Sequence, residues 1–385
     1  MYYYDIPLKK DTVQTLSTEL AHPFPLYFGC DIEAQFTQFL ADLHFDRIFL
    51  FCDENIYSLY GESFFQQLLT LDKPVELLII PQGEHSKTFP KLEEACETLI
   101  EKRVSKISIL ISFGGGVVGN LVGMVAGLIY RGIRFIEIPT TLSGQTDSIL
   151  SNKQAVNGRT GKNHFGFYYA PIFCWVDTRY LASEPSRSMR SGLIEAVKNG
   201  FINDPEFLDY LATKLNKDIP YSESEIFNLA YNIIRSKVNI LRKDPSEKKL
   251  AIILEYGHTF GHGIEWLAAC HHIENIQHGE AVAIGMKIAA EVSHKLGHLS
   301  RAEKDLHYHM IDDKVGVSIK LPEFITSSVL LDAMVADNKK QGHDLQFILL
   351  EKVGKCLNPH GDYLNTVDLD LIAEVFDEFR KNQGN

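Results

Sequence analysis

Residues 255–278 concentrate side chains that could do chemistry. His258 and His262 stand four apart and share one face of a helix. His278 opens the segment His278–Ala283 at the start of another. Glycines at 257, 261 and 263 are poor helix formers, so their presence points to close approach by a ligand or a second helix. Upstream, Glu195 and Lys198 are three apart in Gly192–Lys198, an otherwise apolar helix in which a carboxylate needs a partner. Two imidazoles and one carboxylate make a ligand set for a catalytic divalent metal with open positions. The spacing leaves open which two of His258, His262 and His278 would bind. The other nearby histidines, His271, His272, His294, His298, His307 and His309, read as surface polar residues.

Two further groups could hold a substrate or cofactor. Gly114, Gly116 and Gly119 fit G-x-G-x-x-G directly after the apolar strand Ile107–Phe113 and ahead of a helix over Val118–Tyr130. Such a loop lets backbone N–H groups approach a pyrophosphate at a helix start. The same glycines also suit a plain strand-to-helix turn. At least two strands precede the loop, so a dinucleotide site here would not have the usual layout. Lys153 and Lys162 flank a polar loop, and Lys198, Lys237 and Lys339 are further cations of the type a phosphate or sugar requires. The competing reading for each lysine is a solvated surface residue.

The elements that must position these groups fall into two patterns. Apolar runs at Arg47–Cys52, Val75–Ile80, Lys106–Phe113, Phe135–Pro139 and Ile172–Val176 predict buried strands, with a helix over Phe89–Arg103. This alternation implies a parallel sheet with crossover helices. Helical periodicity dominates from Ser186, over Arg187–Ile202, Glu223–Leu241, Lys249–Ala269 and Gly279–Leu296. The expectation is an α/β, Rossmann-like nucleotide-binding domain over 1–183 and a mostly helical, metal- and substrate-binding domain over 184–385.

Composition narrows the class. With 38 basic and 50 acidic residues the net charge is −12, which excludes a nucleic-acid gripper and also weighs against an anionic substrate. The 45% hydrophobic content of 385 residues excludes general disorder. Six cysteines at 30, 52, 96, 174, 270 and 356 form no C-x-x-C pair and no disulfide framework. Residues 1–11 show no leader pattern and no run has the length of a membrane span, so a cytoplasmic protein is expected.

Taken together, Gly83–Lys87, Gly114–Asn120, Tyr130–Gly132, Pro139–Thr141, Asp147, Gly161–Asn163, Gly192–Lys198, Gly257–His262, His278–Ala281 and Asp337–Lys339 resemble the sugar-phosphate cyclase superfamily, the relatives of 3-dehydroquinate synthase. The segments keep their order over about 83–340. The resemblance implies a dehydroquinate synthase-like fold, an NAD cofactor and a divalent metal, zinc or cobalt. It places the metal on Glu195, His258 and His278, and makes His262 a neighbouring or substrate-contacting imidazole. It assigns NAD to Asp53, Glu84, Lys87, Gly115, Gly116, Val117, Asn120, Thr140, Thr141 and Lys162. Asp147, Lys153, Asn163, Lys198, Lys237 and Lys339 would meet the substrate, together with Lys162. Arg131 would reach across a homodimer to the neighbour's phosphate site.

Departures from the superfamily pattern select the branch. Dehydroquinate synthases read Gly-Gly-Lys-Thr where this chain has Ser151–Asn157, and carry Asp in place of Asn120. They carry Asn at the position of Glu255 and, four residues earlier, a carboxylate-binding arginine at the position of Ala251. Losing a cation and gaining an anion opposes a substrate carboxylate and suits a neutral polyol. Lys153–Asn157, Thr160–Asn163, Gly166–Tyr169, Leu254–Thr259 and Asp337–Lys339 instead resemble the inosose-forming branch that opens aminocyclitol antibiotic pathways. Its substrate is glucose 6-phosphate. The implied reaction oxidises C4 transiently, eliminates phosphate from C6, reduces C4 again and closes the ring by an aldol step. Lys153, Glu255 and His262 are the expected catalytic groups. Dehydroquinate synthase and sedoheptulose-7-phosphate cyclase are the neighbouring alternatives. A metal-dependent polyol dehydrogenase, which would accumulate NADH, is the alternative from another reaction class.

Overall fold

The computed structural model describes residues 3, 5–17, 23–159, 161–218, 220–244, 249–271, 273, 276–341 and 345–383, the side chains of 336–341 excepted. It divides into two compact units: residues 5–185 with 221–234, and 186–220 with 235–385 and Tyr3.

The first unit is built on a seven-stranded sheet. Its strands are β1 (Gln14–Ser17), β2 (Pro25–Gly29), β3 (Ile48–Asp53), β4 (Val75–Ile80), β5 (Ile109–Gly114), β6 (Arg134–Pro139) and β9 (Phe173–Asp177), in the order β1-β2-β9-β6-β5-β3-β4. Only β1 runs antiparallel to its neighbour. The predicted strands all form, and the central ones are buried on both faces, as their continuous apolar runs require. Helices α1 (Glu33–Ala41), α2 (Glu54–Ile56), α3 (Glu62–Leu68), α4 (Phe89–Glu101), α5 (Gly116–Leu128) and α6 (Leu142–Thr146) lie between them.

A hairpin of β7 (Lys153–Gly158) and β8 (Gly161–Tyr168) leaves the sheet and packs on α5. One face of α5 is a glycine stripe that permits this. A Cβ on Gly123 or Gly127 would stand 2.3 Å from Gln154 or 2.2 Å from Phe167 of the hairpin, and one on Gly119 2.3 Å from Glu137 of β6. β1, β2 and the hairpin were not anticipated from the sequence. β1 is four residues long, and β8 is mostly exposed and so lacks the apolar run of a core strand.

The second unit is helical, with α7 (Ser186–Asn203), α8 (Pro205–Lys214), the C-terminal part of α9 (Glu223–Leu241), α10 (His258–Cys270), α11 (His278–Lys295), α12 (Arg301–Tyr308), α13 (Ser327–Gln341) and α14 (Leu369–Asn382). A short ribbon pairs β10 (Leu350–Lys352) with β11 (Lys355–Cys356). The helix expected over 249–269 is broken. A 3₁₀ turn over Leu250–Glu255 ends at Tyr256, Gly257 takes φ +79°, and α10 starts at His258. Among the described residues, no helix is long and apolar enough to cross a membrane.

Candidate active site

In the second unit, three helices converge on the metal-ligand candidates. α10 and α11 approach so closely that a Cβ on Gly285 would lie 2.0 Å from the Gly257 carbonyl oxygen, and one on Gly261 3.2 Å from the Val282 backbone. The glycines around His258 and His262 thus serve helix-to-helix contact; Gly263 likewise faces Leu330 and Met334. α11 meets α7 through Gly279, whose N–H donates to Ser191 Oγ at 2.9 Å and whose Cβ would strike the Ser191 carbonyl. Gln277 and Glu280 form a capping box at the start of α11, and Arg187 of α7 grips Glu280 with two hydrogen bonds of 2.6 and 2.7 Å. These contacts fix His278 opposite Glu195.

The resulting arrangement answers which histidines pair with the carboxylate. Glu195 Oε1 lies 3.7 Å from Nε2 of both His258 and His278. Three donors about 2.1 Å from a tetrahedral ion would stand about 3.4 Å apart, so this triangle fits a divalent metal. Oε1 is buried without a hydrogen-bond partner among the described residues, while Oε2 takes the Lys198 ammonium at 2.5 Å. Both outer nitrogens are held: His258 Nδ1 is 3.2 Å from the Tyr256 carbonyl and His278 Nδ1 is 2.9 Å from Glu265 Oε2. That leaves the two Nε2 atoms facing Glu195. His262 is exposed, with its ring 5.3 Å from His258 and 6.2 Å from His278.

Electrostatics follow from burial and these partners. Burial works against the Glu195 anion, but Lys198, His258 and His278 hold its carboxyl well below the usual range. Burial, reinforced by the Lys198 ammonium, lowers His258 to about 4. Desolvation disfavours the His278 cation, yet Glu265 and Glu195 raise it to about 9. Glu255 is exposed at the end of the 3₁₀ turn and Lys237 is buried on α9. The side chain of Lys339 lies outside the described residues.

In the first unit, the glycine loop sits where the strand order reverses. β3 pairs with β4 on one side and β5 on the other, so the carboxyl ends of β3 and β5 flank the switch point at which open α/β sheets bind ligands. Asp53 closes β3 and caps the next helix through Ile56 N–H at 2.9 Å. A Cβ on Gly114 would come within 3.4 Å of its Oδ2. Gly115, Gly116 and Val117 begin α5, leaving a helix N-terminus for an anion. Thr140 Oγ1 is buried without a hydrogen-bond partner among the described residues, as a group that meets a cofactor polar atom would be, whereas Thr141 Oγ1 accepts from Gly144 N–H at 3.1 Å. Asn120 bridges elements, donating to the Gly116 carbonyl at 2.9 Å and accepting from Ala155 N–H of β7 at 3.0 Å.

A polar stitch ties the hairpin to residues 83–88. Asn157 donates to Glu84 at 2.9 Å and accepts from Asn163 N–H at 2.9 Å, while Lys87 donates to Asn163 Oδ1 at 2.5 Å. Burial lowers the pKa of Lys87, against the pull of Glu84 and with help from Lys162. Glu84, Lys87, Lys162 and Asn163 are therefore brought together. Lys153 is exposed at the start of β7, Asp147 is half-buried after α6, and Arg131 is exposed beyond α5.

Sequence reasoning missed Glu265, Asn157 and Glu137, the last a buried carboxyl under Gly119. Glu265 left a signal as an acid three residues after His262 on the same helix face, and Asn157 as the last residue of the Lys153–Asn157 run. His307, expected at the surface, is fully buried, stacked on Phe201 with ring centroids 3.7 Å apart.

Known proteins share this architecture. The family model of the 3-dehydroquinate synthase N-terminal domain matches residues 77–191, and that of its C-terminal domain matches 192–340. A 2-deoxy-scyllo-inosose synthase of Streptomyces kanamyceticus is 35% identical over 92% of this chain and 91% of its own. A 3-dehydroquinate synthase of Acidithiobacillus ferrooxidans is 34% identical over 87% of this chain and 90% of its own. The crystal structure of a 2-deoxy-scyllo-inosose synthase complexed with carbaglucose-6-phosphate, NAD+ and Co2+ matches with a TM-score of 0.86 at 31% identity, covering 95% of this chain and 99% of that one. With both halves matched, and with relatives at this identity along nearly its whole length, the chain belongs to the 3-dehydroquinate synthase family of sugar-phosphate cyclases.

Proposed function

We propose that this chain is a carbocycle-forming lyase that converts glucose 6-phosphate to 2-deoxy-scyllo-inosose and phosphate, using NAD and a divalent metal, cobalt or zinc. Identity alone does not separate the branches, since 35% to an inosose synthase stands beside 34% to a dehydroquinate synthase. The observation that carries the reading is the 3₁₀ turn before His258. It holds Ala251 and Glu255 where a carboxylate-binding cyclase has arginine and asparagine. An anion about 4 Å from Glu255 at an effective dielectric of about 20 would be repelled by about 4 kcal/mol. A sugar hydroxyl would instead find an acceptor. The relative solved with carbaglucose-6-phosphate, NAD+ and Co2+ supports the same substrate class.

When bound, NAD would supply a reversible hydride acceptor for C4 and the metal a Lewis acid for the C4 oxygen. Glu195, His258 and His278 would hold the metal, and Glu265 keeps His278 oriented. Lys153 stabilises the oxyanion that develops at C4. Glu255 anchors a sugar hydroxyl, and His262, an exposed imidazole, carries protons. Asp53, Gly115, Gly116, Val117, Asn120, Thr140 and Thr141 hold NAD, with Glu84, Lys87 and Lys162. Asp147, Asn163, Lys198, Lys237 and Lys339 meet the sugar phosphate. The functional unit is a homodimer in which Arg131 serves the neighbour's phosphate site, and its six free cysteines suit the cytoplasm. A substrate panel tests the reading. Phosphate release with glucose 6-phosphate supports it, and release only with the seven-carbon heptulosonate phosphate overturns it in favour of dehydroquinate synthase.

A further inference from the structure

Tyr256 and His307 are both completely buried, and neither enters the chemistry above. We infer that they are positioning residues for the metal ligand His258, acting through the backbone carbonyl between them; the inference rests on the metal site proposed above.

His307 Nδ1 lies 2.9 Å from the Glu303 carbonyl, which can only accept, so Nδ1 carries the ring proton. Nε2 is then a lone-pair acceptor, and the Tyr256 hydroxyl 3.0 Å away donates to it. The only other oxygen within reach of that hydroxyl among the described residues is the Met286 carbonyl at 3.4 Å, a weaker contact. Burial lowers His307 to about 4, which keeps the ring a neutral acceptor at neutral pH. The ring is clamped by Phe201 of α7, the helix that also carries Glu195.

At its other end Tyr256 repeats the pattern. Its carbonyl faces His258 Nδ1 at 3.2 Å, so that nitrogen holds the proton and Nε2 turns its lone pair toward Glu195. Gly257 lies between them in the left-handed region, and a Cβ there would come within 2.8 Å of the Met286 backbone nitrogen. Residues 256–258 thus form one short rigid link. Fixing the phenol fixes the carbonyl, and the carbonyl fixes the tautomer and orientation of the ligand. Partners of metal-bound imidazoles commonly act in this way, and their loss weakens metal binding by about 10–100-fold.

The test titrates Co2+ into the full chain against a chromophoric chelator and records its visible absorption, with helical circular dichroism and its denaturant unfolding measured as the check on folding. Tyr256→Phe and His307→Phe are expected each to weaken Co2+ binding by about 10–100-fold and to change the cobalt spectrum, and the double variant to lose no more than either alone. Folded single variants with wild-type Co2+ affinity and spectrum, or losses that add in the double variant, would overturn the inference and leave the pair as core packing. A wild-type chain that binds no Co2+ would overturn the metal site itself, a distinct outcome.

Discussion

Glu195 divides its two oxygens between different tasks. One accepts from the buried Lys198 ammonium, and the other has no hydrogen-bond partner among the described residues but lies equidistant from two imidazole nitrogens. Glu195→Gln keeps the shape and removes the charge. It is expected to weaken Co2+ binding beyond the ~10–100-fold of an outer-shell loss, with turnover falling in step. Glu265→Gln should fall inside that range, because His278 keeps its place while its Nδ1 partner weakens; equilibrium Co2+ titration separates the two. The candidate ligands could be found in the sequence because the family resemblance marks Glu195, His258 and His278, although spacing alone left the choice among His258, His262 and His278 open. Their supports could not. Glu265 is defined by a partner 13 residues away and His307 by one 51 residues away, and only the folded helices create those pairs.

At the scale of elements, the site depends on backbones touching. Gly285 packs against the Gly257 carbonyl with no flexible side chain to give way. Gly285→Ala should therefore cost at least the ~1–3 kcal/mol of core overpacking, read by denaturant unfolding, and should lower metal affinity because α10 and α11 carry His258 and His278. In the sheet unit, Glu137 is buried against α5, and burial raises it from 4.5 to about 7. The unfolded chain loses this proton near 4.5 and the folded chain only near 7. Glu137 therefore makes stability fall as pH rises through that window, by up to about 3 kcal/mol. Glu137→Gln should flatten the change in unfolding free energy between pH 5 and pH 8; an unchanged slope would show that Glu137 is not its source. Strands such as Ile48–Asp53 could be read from their apolar runs, since a parallel strand must bury both faces. The break at Gly257 could not, because the helical period continues across it and only the approach of α11 requires the turn.

For the whole molecule, a net charge of −12 weighed against an anionic substrate, yet charge sums describe surfaces rather than sites. Lys87, Lys198 and Lys237 are all buried, and Lys87 is stitched to Asn163 beside Lys162. Cations withdrawn from solvent in this way can meet a phosphate whatever the outer surface carries. The proposed reaction is redox-neutral, because the hydride taken from C4 returns to C4. That balance separates a cyclase from the polyol dehydrogenases. The most direct test follows phosphate and NADH together while the chain acts on glucose 6-phosphate with NAD and Co2+. One phosphate should be released per cyclic ketone formed, with no accumulation of NADH. NADH rising in step with substrate consumed, without phosphate release, would contradict the redox-neutral reaction.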